Sequence, residues 1–288
     1  MNRNIIIRSF LALALTAMSV TGCYVQKKTG DSLSTKGVEV PSTANPDPTA
    51  PVVYFTSDIS PEGLIKVYEA LGITPSGRVA VKISTGESEK SNHLRPDFIK
   101  DFVHKVNGTL VECNTAYGGN RTDSESHRKA IAQRGFEAVS HVDIMDEEGE
   151  MRLPVVDDKH IKYDIVGSHL QNYDFMVNLA HFKGHEMGGF GGVLKNQSIG
   201  VMNNMSVDCD CNGNPAAPRL KDIGILASMD PVALDKACTD LVFTHDDTAG
   251  DDAKPLQQRI NRQHGLHILE YAEGLGLGVT KYNLVNID

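Results

Sequence analysis

DFMVNLAHFKGHEMGGFGGVLKNQSI, residues 174–199, is the stretch on which the fold turns. Its apolar run over 175–182 reads as a buried strand, and that strand passes directly into His181, Lys183, His185 and four glycines. Gly188, Gly189, Gly191 and Gly192 would let the backbone approach a bound group or take up positive φ. Lys195 and Asn196 follow at an expected helix start, where backbone N–H groups lack intrahelical partners. A strand ending in such a loop predicts a ligand at its carboxyl end, and an anion or a metal-bound anion would suit the place.

Working outward, strands and helices alternate. Residues 52–56 read as a strand, and Ser60-Pro61-Glu62 supplies an N-cap, a first-turn proline and a first-turn acid for a helix ending before Gly72. Strands are expected at 78–84 and 109–113, with Phe98, Phe102 and Val106 at helical spacing between them. A helix over 124–134 is closed by Gly135, and Asp143 lies beside a short strand. Further strands fall at 161–166, 222–228 and 282–287, and helices at 231–243 and 268–275. The pattern predicts an α/β fold: a mostly parallel sheet with helices on both faces, in Rossmann-like layers. Asn114 to Gly119 and His181 to Gly192 would then lie at carboxyl ends of strands.

The ends of the chain's first fifty residues read differently. Arg3 and Arg8 precede an apolar run from Phe10 to Val20, and Val20-Thr21-Gly22-Cys23 has the shape of a bacterial lipoprotein cleavage site. Residues 1–23 are expected to be a signal peptide, with Cys23 lipidated and the chain held at a membrane of the bacterial cell envelope. Residues 24–50 are Ser, Thr, Pro, Gly and Lys with few large apolar groups and read as a flexible linker, leaving 51–288 as the folded α/β unit. The net charge is −9, or −11 without Arg3 and Arg8, and no basic stripe offsets it, which argues against nucleic acid as a partner.

Two histidines and two cysteines carry the metal reading. Cys209-Asp-Cys211 is too tight for an easy mutual disulfide, but two thiolates one residue apart can reach one soft metal. With His181 and His185 they form a Cys2His2 set suited to zinc or iron. His181-x-x-x-His185 is not the zinc-protease pattern, because Glu186 follows the second histidine. An iron–sulfur cluster is the alternative, and it would require Cys113 and Cys238 to converge on the same place. Cys238, beside Ala237 and Leu241 in an expected helix, reads as a core thiol. Glu112, at a strand end, is a candidate general base, with Asn114 on the same face; Lys183 is a second catalytic candidate. Lys82 and Thr85-Gly86 line the same expected crevice. Asp230, before Pro231, is first an N-cap.

Four motifs carry a resemblance: HFKGHEMGGFGGVLKN (181–196), VECNTAYGG (111–119), VDCDC (207–211) and DIGILASMDPVALDKA (222–237). In this order they resemble the DUF362 family, bacterial and archaeal proteins of unassigned function, over residues 52–288. The resemblance implies a link to iron–sulfur proteins, since some relatives carry ferredoxin-type cysteine clusters; this chain has no C-x-x-C-x-x-C run. Relatives also carry a long stretch between the glycine loop and the Asn-Asn-Met-Ser-Val-Asp-Cys-Asp-Cys motif. Here Ile199-Gly200 runs directly into Val201-Met202, which reads as an internal deletion and predicts an exposed sheet edge. The sequence thus describes a lipid-anchored, metal-binding protein, redox-linked and enzymatic in one reading. In the other it is a noncatalytic surface protein binding a small anionic ligand.

Overall fold

The computed structural model describes residues 35–194 and 198–288. The expected signal peptide, Cys23, Lys195 and Asn196 lie outside the described residues. The chain opens with β1 (Thr35–Lys36), β2 (Val52–Thr56), β3 (Asp58–Ile59) and α1 (Pro61–Ala70). Ser60 caps α1 as expected, its Oγ accepting the Gly63 N–H at 3.0 Å. There follow β4 (Val79–Lys82), α2 (Pro96–Lys105), β5 (Gly108–Glu112), α3 (Ser124–Gln133) and β6 (Val142–Ile144). Next come the hairpin β7 (Glu150–Pro154) and β8 (Tyr163–Gly167), then β9 (Phe175–His181), and a second hairpin, β10 (Lys183–His185) and β11 (Gly189–Gly191). The chain ends with β12 (Ser198–Met202), β13 (Gly224–Ala227), α4 (Pro231–Phe243), α5 (Lys254–Arg262), α6 (His267–Gly274) and β14 (Asn283–Asn286).

Eight strands make one sheet in the order β14-β2-β13-β12-β9-β4-β5-β6. Every pairing is parallel except the two made by β13. Leu64, Val67, Phe98, Ile99 and Phe102 from α1 and α2 pack on one face, and Val232, Leu234, Ala237, Leu256, Ile260 and Leu269 from α4 to α6 on the other. Near-continuous apolar strands such as Val79-Ala-Val follow from burial on both faces. The expected α/β architecture is therefore present. Because β4, β5, β9 and β12 run the same way, Lys82, Glu112, His181 and Met202 end along one rim, where β13 begins at Gly224.

Three expectations change. The strand expected at 161–166 belongs to the separate β7–β8 hairpin, outside the main sheet. The described part of the expected linker, 35–50, lies against the sheet: β1 pairs with β3, Val40 is buried, Thr43 N–H meets the Leu284 carbonyl at 2.9 Å, and Asp47 N–H meets Asn283 at 2.8 Å. A polar segment can cover the edge strand β14 through hydrogen bonds, which composition does not report. The edge expected to be exposed is not found at β12, which is hydrogen-bonded to β9 on one side and β13 on the other. In place of a crossover helix, the β10–β11 hairpin inserts Phe182, Phe190 and Val193 beneath α4 and α5, with the two phenyl rings stacked at 5.5 Å.

Candidate metal centre

β9 delivers His181 to the rim, and the sequence Cys209-Asp210-Cys211 crosses above it. Asp210 points inward. Its Oδ1 meets His181 Nδ1 at 2.8 Å and its Oδ2 meets Lys183 Nζ at 3.1 Å; Lys183 Nζ also donates to the His181 carbonyl at 2.8 Å. Burial opposes the charge on Asp210, but His181 and Lys183 outweigh it and hold the carboxyl well below the usual carboxylate range. Burial likewise opposes the Lys183 ammonium, and Asp210 and Cys209 overcome it, so its pKa is raised. Lys183 is thus a buried, salt-bridged ammonium under the site, and not the accessible proton-transfer group expected from the sequence.

With Asp210 turned in, the flanking Cys209 and Cys211 turn toward the β10–β11 turn. Ligating atoms of His185, Cys209 and Cys211 all lie within 4.8 Å of one another. A tetrahedral ion with bonds near 2.3 Å to sulfur and 2.0 Å to nitrogen sets its ligand atoms roughly 3.5 Å apart, so a modest contraction would close this set on a metal. His185 Nδ1 accepts the Met187 and Gly188 N–H groups at 3.2 and 3.1 Å; a neutral imidazole has one lone-pair nitrogen, so binding a metal would exchange these two bonds for the metal bond. His181 does not join. Its Nδ1 faces the Asp210 carboxylate and its Nε2 the Asn203 carbonyl at 2.6 Å, so both nitrogens are turned to acceptors of the protein itself. The expected Cys2His2 set becomes Cys2His, with His181 positioning the loop that carries the thiols.

The family model described as "Domain of unknown function (DUF362)" matches residues 79–206 and 198–240, more than half of the chain. The chain belongs to the DUF362 family. The two matched segments overlap over residues 198–206, which include β12. Comparison with curated proteins and with solved structures gave no match.

Within this DUF362 chain the other candidates are engaged elsewhere. Glu112 is 4% exposed and accepts from Lys82 Nζ at 3.2 Å, Arg121 NH1 at 3.1 Å and the Thr85 N–H at 2.8 Å. Burial alone would raise its pKa, yet Lys82, Arg121 and His127 bring it down to about 2, which is a poor general base. Asn114 spends its side chain on Ser124 Oγ at 2.9 Å and His127 Nδ1 at 3.2 Å. Cys113 sits with Ala80, Val111 and Met145, and burial pushes its thiol up to about 12; Cys238 is in the core under α4. Among the described residues the four cysteines therefore do not converge as an iron–sulfur cluster would need.

Three of the four glycines lie close against protein groups. Gly189, at φ +80°, would place a Cβ 2.9 Å from Gly265 Cα; one on Gly192 would strike the Asp235 carboxylate; one on Gly191 would lie 3.3 Å from Lys183 Cε. A Cβ on Gly188 would meet only ordinary contacts, beginning at 3.7 Å from His185 Nδ1. Just before Lys195, the Val193 and Leu194 N–H groups donate to the Asp235 side chain at 2.5 and 2.7 Å, and burial pushes that carboxyl up to about 7. Asp210 and Tyr117 escaped the sequence reading. A charge between two cysteines was the available signal for Asp210. Tyr117, from the VECNTAYGG motif, accepts from Arg121 NH2 at 3.2 Å and hydrogen-bonds Cys211.

Proposed function

We propose that this DUF362 protein binds one transition-metal ion of the zinc class through Cys209, Cys211 and His185, with a fourth position left for water or a small ligand. The observation that carries the reading is the convergence of two thiols and an imidazole at the strand carboxyl ends, over the ion-paired Asp210. Three protein ligands and an open position are the arrangement of catalytic rather than structural zinc. A metal so held supplies a Lewis acid or an activated water. This chain's own residues would do the rest. His181 and Lys183 hold Asp210 and with it the spacing of the thiols, and Tyr117, backed by Arg121, hydrogen-bonds Cys211. Iron in the same ligands is the redox-linked version of the reading, and metal analysis separates the two.

Purified chain titrated with zinc against a competing chelator should bind about one ion per chain. Cys209→Ser and Cys211→Ser should each abolish this, while Cys113→Ser and Cys238→Ala leave it intact. Retention of a full equivalent in both of the first two variants would overturn the proposal. The lipoprotein reading also belongs here, supported by Val20-Thr21-Gly22-Cys23. Cys23→Ser should move the protein from the membrane to the soluble fraction, and persistence in the membrane would remove the anchor.

A further inference from the structure

Beside the metal centre lies an open groove of about 410 Å³ lined by Ser88, Glu89, Lys90, Asn120, Arg134 and Gly213, with Gln133 at its margin. The loops that build it are those that build the centre. Gly213 follows Cys211 by two residues and accepts from Ser88 Oγ at 2.5 Å; the Glu87 N–H meets the Asp210 carbonyl at 2.9 Å; Asn120 Nδ2 donates to the Glu87 carbonyl at 3.0 Å. Tyr117, on the same loop as Asn120, reaches Cys211.

Arg134 sets the chemistry of this groove. Its NH2 donates to the Glu87 carbonyl, while its Nε and NH1 are shielded from water and meet no acceptor among the described residues. No carboxylate pairs with it: Glu87 is taken by Arg121 at 3.3 Å and by the Asn120 N–H, and Glu89 is exposed. Arg95 and Lys90 add positive charge nearby, in a chain of net charge −9. A half-buried guanidinium with one hydrogen bond and only distant help from Glu87 and Glu89 is costly, and a negative charge in the groove would offset part of that cost through its field, without touching the shielded Nε and NH1.

We propose that the groove between residues 88–90, Asn120, Arg134 and Gly213 binds the carboxylate or phosphate group of a small molecule. Its place suggests the tail of the same ligand whose head meets the metal, a step that rests on the metal-centre reading; anion binding itself does not. Ser88 and Asn120 would fix the orientation and Lys90 would add charge from the rim.

Calorimetric titration of the full chain with inorganic phosphate and, separately, malonate tests this. Saturable binding of phosphate alone assigns a phosphate, of malonate alone a carboxylate, and of both a general anion site. Arg134→Gln should weaken binding about tenfold. Lys90→Gln, at an exposed position that does not endanger folding, should weaken it about twofold, and Glu89→Gln should tighten it by a similar factor. Absence of saturation with both anions, or unchanged affinity in both Arg134→Gln and Lys90→Gln, overturns the proposal. The Cys209→Ser, Cys211→Ser double variant keeps the two readings apart: it should lose metal and still bind the anion. Loss of anion binding by that variant while its circular dichroism is unchanged would show that no separate groove site exists.

Discussion

Two buried carboxylates stand on the same rim of the sheet and have opposite meanings. Glu112, at the end of β5, is closed on every side by Lys82, Arg121 and the Thr85 N–H. Asp210 is also neutralised, by His181 and Lys183, but carries a thiol on each flank within reach of His185. Both have their pKa lowered against the effect of burial. A perturbed carboxylate therefore does not by itself mark the site in this molecule; converging soft donors do.

The largest expected effect is Glu112→Gln. Removing that charge leaves the part-buried Lys82 without its carboxylate and the buried Arg121 with Glu87 alone, and should cost about 3 kcal/mol in denaturant unfolding, with metal binding by the folded protein unchanged. The pH dependence has a definite sign. Glu112 titrates near 2 when folded and near 4.5 when unfolded, so its stabilisation is fully present above about 4.5 and disappears as pH falls toward 2. Glu112→Gln should lack that part of the acid limb. A loss under about 1 kcal/mol would show that the Glu112 network is not structural.

Asp210→Asn sharpens the contrast from the other side. It should lower metal affinity about 10–100-fold without removing a ligand, because the asparagine cannot hold both His181 and Lys183. His181→Gln should fall in the same range, whereas a lost stoichiometry would return His181 to the ligand set. Unchanged affinity in both variants would dissolve the distinction between the two carboxylates.

How far the sequence carried the reading depends on which residues are asked. Alternating apolar segments and the caps at Ser60 and Asp230 were enough for the layers, because burial on both faces and unpaired helix N–H groups leave local marks. The Cys209 and Cys211 pairing with His185 was legible from residue chemistry and close spacing. The competing claims on His181, Glu112 and Asn114 were not, since Asp210, Arg121 and His127 meet them only through the fold. Close approach at the glycines was legible as well, but not that Gly265 and Asp235 are the groups lying against Gly189 and Gly192.

A pair of glycine substitutions gives the smaller effects. Gly192→Ala would press on the buried Asp235 carboxylate and should cost about 1–3 kcal/mol. Gly188→Ala meets only ordinary contacts and should change stability by no more than about 0.5 kcal/mol. Equal, negligible stability effects accompanied by loss of ligand binding would restore the glycines as a ligand cradle.

X-ray absorption at the edge of the bound metal, on zinc-loaded full-length protein, tests the central claim most directly. The expected first shell is two sulfurs at about 2.3 Å, one imidazole nitrogen at about 2.0 Å and one further light atom, with both sulfurs gone in the Cys209→Ser, Cys211→Ser variant. A shell of oxygen and nitrogen alone, or one of four sulfurs, would contradict a centre built from Cys209, Cys211 and His185.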